Sequence, residues 1–248
     1  MNSLYKYVSS EYIRSTLSEN TIYCPTPDKL NDPFDSKLYF TKKPAKKIIK
    51  EIESYKMPVF AEAQTVIQTI NNINIEKHVL FNDLYKKYGD DFEYFVFRDY
   101  GLYAMTTDKN SLLMWSHYGE KHKGFCIEWE RKEGGIFSNT ETCFPINYSS
   151  YLPEYDYEHQ SEKEVARVKF GNKSDIWTYE KEWRYITKES NKNIQCDAKL
   201  MALYIGCKAE LEKTKYTEII DICKHKNIEI FQARMKDREY KIDFIKVE

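Results

Sequence analysis

No stretch of the sequence approaches the 18 or more consecutive apolar residues of a membrane-spanning helix. The start, MNSLYKYVSSEY, has neither the basic nor the apolar region of a secretory signal, so the expectation is a cytoplasmic protein without a membrane role. Charge of one sign is also missing: 38 Lys+Arg stand against 39 Asp+Glu, a formal net charge of -1. That balance argues against holding nucleic acid or anionic lipid by bulk field, and any polyanion site must be local. The six cysteines, Cys24, Cys126, Cys143, Cys196, Cys207 and Cys223, show no CxxC spacing. They read as reduced packing residues rather than a zinc knuckle or a disulfide frame, and no metal site is expected from them. GxGxxG and GxxxxGK[ST] are absent, which excludes a doubly wound dinucleotide fold or P-loop announced by those motifs. Aromatic residues are abundant instead, at 15% with 21 Tyr, and suit either a Tyr-rich core or a groove that stacks planar ligands.

A chain of 248 residues is long enough to bury a core of its own. Short alternating or apolar runs predict strands at Leu4–Val8, Thr21–Cys24, Lys37–Thr41, Gly101–Thr106, Gly124–Glu130, Cys143–Tyr148, Trp183–Thr187, Leu200–Ile205, Ile228–Met235 and Tyr240–Lys246. Helices are predicted at Ser10–Glu19, Ser111–His122, His159–Phe170 and Ala209–Lys226. In the last of these, Leu211, Tyr216, Ile219, Ile220 and Cys223 recur at helical spacing and Asn227 ends the run. Strands and helices do not alternate strictly, so the expectation is a single α+β domain spanning 1–248, interrupted by a helical insertion at 42–97. The Lys cluster KKPAKKIIK that opens the insertion reads as a solvated helix face, since Glu51 and Glu53 follow it.

Three segments carry candidate chemistry. In YCPTPDKLNDPFD, Asn31, Asp32 and Asp35 form turns and Pro33 pushes Asp32 out of helical geometry. The local reading is an Asx-turn; the functional one is that Asp32 or Asp35 offers a carboxylate to a ligand ribose or a metal. In SLLMWSHYGEKHKGFCIEWE, Trp115, Tyr118, Gly119 and His122 fall on one helical face while His117 points elsewhere, because five residues turn a helix by about 140° beyond a full circle. His117 and His122 therefore cannot pair on one metal. Trp115 and Tyr118 read either as core with His122 capping the helix, or as a polar-tipped site. In IWTYEKEWRYITK, an extended strand places Glu180, Glu182 and Arg184 on one face. That row is either an ion-pair ladder or a pair of carboxylates facing a developing positive charge.

At LYKY, NDPFD, MWSHY with KHKGFCIEW, EKEWRYI and LYIG the sequence resembles a bacterial family of proteins of unknown function, from Leu4 to about Gly206. Its layout also resembles the ADP-ribosyltransferase superfamily: LYKY with Tyr5 and Tyr7, a helix and a strand come first, and a late strand opens on Glu180 and Glu182. That second resemblance implies a mainly antiparallel, split sheet and an enzyme that uses NAD as substrate. Nicotinamide then stacks on an aromatic ring, and a glutamate holds the ribose hydroxyl while the glycosidic bond breaks through an oxocarbenium-like state. It implies Glu182, Glu180 and His117 as catalytic residues, and Tyr5, Tyr7, Trp115, Tyr118, Asp32 and Arg184 as NAD contacts. The sequence departs from the pattern in offering Lys6 rather than His or Arg in the first motif, and in lacking a Ser-Thr-Ser strand.

Three functions follow as expectations. The first is an ADP-ribosyltransferase-like toxin or defence effector modifying a nucleic acid or protein. The second is a metal-assisted hydrolase or nuclease using Asp32, Asp35, His117 or His122 with Glu182. The third is a non-catalytic module that binds a nucleotide or peptide. All three require NDPFD, WSHY and EKEWR to converge on one cleft.

Overall fold

A computed structural model describes residues 2–40, 97–155, 161–211 and 213–247. The predicted helical insertion, including the Lys cluster, lies outside the described residues apart from Phe97. The strands are, in chain order, β1 Ser3–Val8, β2 Thr21–Cys24, β3 Tyr39–Phe40, β4 Gly101–Thr106, β5 Phe125–Glu130, β6 Cys143–Pro145, β7 Asn147–Ser149, β8 Glu154–Tyr155, β9 Asn172–Ser174, β10 Glu182–Thr187, β11 Lys192–Gln195, β12 Leu200–Ile205, β13 Glu229–Met235 and β14 Ile242–Lys246. Helices occupy Ile13–Glu19, Leu112–His117, Glu162–Phe170 and Thr214–His225. The class is α+β, built on an eight-stranded sheet ordered β14-β13-β12-β5-β1-β4-β10-β6. Every neighbouring pair in it is antiparallel except β12 with β13, which the Thr214–His225 helix connects.

The chain divides into two compact units. The first comprises Met1–Asp35, Asp99–Ser150 and Lys173–Glu248 and contains the large sheet. Strand alternation gives this sheet two different faces. Leu4, Ile127, Trp129 and Leu203 point to one face and form a core with Ile13 and Leu17 of the first helix and Tyr216, Ile219 and Cys223 of the last. Complete burial of a side chain such as Leu4 contributes about 1.5–3 kcal/mol. Tyr7, Cys126, Ala202, Tyr204 and Ala233 point to the other face, where Met114 and Trp115 of the short helix cover them. The second unit comprises Ser36–Arg98 and Tyr151–Asn172. In it β3 pairs with β8 in parallel, and the Glu162–Phe170 helix starts on a capping box between Ser161 and Glu164.

Three predicted elements are corrected. The helix expected to reach His122 starts on a Ser111 cap and stops at His117, because Glu120, Lys121 and His122 adopt left-handed backbone at φ 50°, 54° and 67°. The expected strand Cys143–Tyr148 is broken at Ile146, whose N–H turns to the Glu182 carbonyl, and Pro145 is tolerated because β6 is an edge strand. Glu180 does not share a strand with Glu182: it ends a 3-10 turn at Asp175–Glu180, and Lys181 at φ 46° separates the two.

Candidate functional site

β1 and β4 are registered only at Tyr5 and Thr106, and Thr106 is in turn registered with Glu182 at the start of β10. Tyr5, Thr106 and Glu182 thus lie in one row across three strands. A cavity of about 270 Å³ opens there, lined by Tyr5, Lys6, Tyr7, Thr106, Tyr118, Lys173 and the carboxylates Asp35, Glu180 and Glu182. This is just below the roughly 300–1,000 Å³ of small-molecule sites. The three motif segments converge on it, NDPFD through Asp35, WSHY through Tyr118 and EKEWR through Glu180, Glu182 and Arg184.

The cavity floor is a buried charge network. Arg184, 1% exposed, forks onto Asp35, with Nη1 donating to Oδ1 at 2.9 Å and Nη2 to Oδ2 at 2.8 Å. It also donates through Nε to Glu182 Oε1 at 2.6 Å and through Nη2 to Glu182 Oε2 at 3.1 Å. Lys173 Nζ sits among all three carboxylates, 2.5 Å from Glu180, 3.0 Å from Glu182 and 3.6 Å from Asp35. An ammonium therefore occupies the point on which these carboxylates converge, so the trio is assembled around a lysine and does not fit a cation site. Among the described residues no group of three or more His, Cys, Asp or Glu could hold a metal.

The two glutamates titrate in opposite directions. Burial pushes the Glu182 carboxyl up, but Arg184 and Lys173 overcome it and hold the group at about 2. Burial also raises Glu180, Lys173 opposes it, and the adjacent Glu182 charge adds to the rise, leaving Glu180 above its ordinary value. Tyr118 donates its hydroxyl to Glu180 Oε1 at 2.6 Å, and Asn31 donates to the Tyr118 oxygen at 3.4 Å. Lys6, on the cavity wall with its ammonium 5.0 Å from the centre of the Tyr103 ring, is depressed by burial despite the Glu182 charge.

The other residues singled out in the sequence lie outside the lining. Trp115 is fully buried behind Tyr7, ring centres 5.1 Å apart at right angles, and its indole N–H is taken by the Lys109 carbonyl. His117 is exposed with Nδ1 3.0 Å from the Tyr179 hydroxyl. Asp32 forms the expected Asx-turn, accepting from the Phe34 N–H at 2.9 Å and from the Trp177 indole at 2.7 Å. His122 does not cap the helix, which ends on Tyr118. Lys173 was missed: it stands alone in GNKSD, and nothing in that string announces an ion-pair hub.

Residues 114–185 match the model of a family described as a protein of unknown function (DUF2971). This bears out the resemblance to a family of unknown function over that stretch, which holds Tyr118, Lys173, Glu180, Glu182 and Arg184, and it names no reaction. No curated protein and no solved structure matches the chain. Among the described residues no helix is long and apolar enough to cross a membrane.

Proposed function

We propose that the chain is an ADP-ribosyltransferase-like enzyme that takes NAD as donor and modifies a nucleic acid or protein. One observation carries this reading: two carboxyls two residues apart line the same cavity, share one lysine, and are shifted in opposite directions, Glu182 downward and Glu180 upward. Such a split separates acid–base and electrostatic roles. Glu182 is the fixed anion that faces positive charge developing on the ribose as the glycosidic carbon–nitrogen bond breaks. Nicotinamide leaves with the bonding electron pair, the acceptor's nucleophilic atom bonds the anomeric carbon, and Glu180 takes the proton that this atom sheds.

The lining suits the donor. Tyr5, Tyr7 and Tyr118 provide aromatic surface, and Lys6 provides an amine that can donate to phosphate. Three donors already bind the Glu182 carboxylate, and a carboxylate offers about four lone-pair sites, which leaves one for a ribose hydroxyl. Trp115 and His117 have no role in this reading.

Incubation with labelled NAD and cell lysate tests it. The native protein transfers label, and Glu182→Gln lowers the rate about a hundredfold or more. No transfer, no nicotinamide release and no NAD-induced shift in melting temperature would falsify the reading. The three donors that Arg184 and Lys173 already place on Glu182 favour a second reading, a binding module, in which NAD raises the melting temperature without releasing nicotinamide.

A further inference from the structure

A second and larger cavity, about 650 Å³, is bordered by Ser116, His122, Cys207 and Lys208 and by the hairpin joining β13 to β14. The backbone beside it is forced. Glu120, Lys121 and His122 are left-handed in succession, a conformation that brings the Cβ of a non-glycine residue too close to the following carbonyl oxygen. The loop is pinned at His122 through both of its backbone groups: the N–H donates to the Trp115 carbonyl at 3.1 Å, and the carbonyl accepts from the Lys208 N–H at 2.9 Å. Gly206 allows this approach, since a Cβ there would lie 2.2 Å from the His122 carbonyl oxygen.

The pinned loop holds the His122 ring between two side chains. Nε2 lies 3.0 Å from Ser116 Oγ, and Nδ1 lies 3.8 Å from Cys207 Sγ. Nucleophile, base and a third group that orients the base thus stand in line, the arrangement an activated thiol requires. Cys207 is also the partly exposed cysteine; the other five are buried. Burial raises the thiol and, with Lys208, lowers the imidazole, so the resting pair is neutral and the ring is free to accept a proton. Lys208, Lys236, Arg238 and Lys241 line the same cavity against two carboxylates, Glu239, which bonds Lys236 at 2.7 Å and Lys241 at 2.6 Å, and Asp237 beside the lining, 3.6 Å from Arg238. The surplus is positive and calls for an anionic ligand.

We propose that Cys207 is a thiol-exchange nucleophile with His122 as its base, in a pocket that takes an anionic low-molecular-weight disulfide of the glutathione type. Cys207 Sγ attacks one sulfur of the disulfide as its proton passes to His122 Nδ1, while His122 Nε2–H donates to Ser116. The sulfur–sulfur bond breaks, the leaving thiolate takes the electron pair and then the proton from the imidazolium, and Cys207 remains as a mixed disulfide. The bound disulfide is the oxidant, so no other co-reactant is needed.

The native protein is treated in parallel with oxidised glutathione and with cationic cystamine, and adducts are located by intact and peptide mass. One adduct is expected, on Cys207, formed at least about tenfold faster with oxidised glutathione at low salt, the preference shrinking as salt rises. His122→Gln slows it about tenfold or more, and Ser116→Ala, which leaves the loop intact, slows it less. Lys208→Glu reduces the preference for the anionic disulfide. Equal rates for the two disulfides, a Cys207 rate unchanged by both His122→Gln and Ser116→Ala, or adducts spread over the buried cysteines would overturn the proposal. The two-disulfide comparison on native protein decides the case even if a variant fails to fold.

Discussion

Around Glu182 the ionisable groups are buried and tied to one another by ion pairs, whereas His122 and Cys207 form a neutral pair on the border of a wider, basic cavity. The first region derives its geometry from ion pairs that leave each side chain one arrangement. The second derives it from backbone, three left-handed residues held by a turn through Gly206. The difference concerns what supports a site. A charge network fails when one partner goes, because the remaining charges are stranded out of water, while a backbone support fails when space is taken away.

Removing the guanidinium tests the first half of that contrast and should have the largest effect. Arg184→Met removes the guanidinium that forks onto Asp35 and Glu182 and leaves both carboxylates buried beside Lys173, and the expected loss is about 3–5 kcal/mol in urea unfolding at neutral pH. A loss below about 1 kcal/mol would mean that the network is as weak as exposed ion pairs, and the contrast would fall. On the backbone side, Gly206→Ala drives a methyl group into the His122 carbonyl, which is main chain and cannot swing away. About 1–3 kcal/mol should be lost, with Cys207 exchange slowed and NAD-induced stabilisation retained. Loss of both together would show that the two sites are one cooperative structure.

Much of the sheet was legible because alternation was clean: Leu4, Ile127 and Leu203 announced a buried face, and their strands formed with ends shifted by no more than a residue. The convergence of NDPFD, WSHY and EKEWR was also foreseen. The turn that takes Glu180 out of the strand was not legible, because Lys181 is an unlikely left-handed residue and only its surroundings impose that conformation. The same holds for Glu120, Lys121 and His122: Gly119 and Gly124 flank them, but the left-handed residues are themselves not glycine and so read as more helix. Lys173, and the meeting of Ser116 and His122 with Cys207 across 85 residues, arise from tertiary contact alone.

The subtlest comparison lies within the network, between its two glutamates. Glu182 is held down at about 2 in the folded chain against an ordinary 4.5, so its ionised form contributes stability that is full above pH 4.5 and lost as pH falls toward about 2. Glu180 is raised, so folding favours its protonated form, and the folded state loses that advantage as pH climbs from 4.5 through the raised value. Glu180→Gln cannot ionise, and it gives up a hydrogen-bonded charge partner of Lys173 at a cost of about 1–3 kcal/mol. Relative to the native protein, its deficit should therefore shrink as pH rises above 4.5. The deficit of Glu182→Gln should instead shrink as pH falls toward 2, where the native carboxylate becomes protonated. Urea midpoints of the three proteins across that range measure both slopes. Parallel pH profiles would mean that the two carboxyls share one environment, and the division of labour assigned to them would have no physical basis.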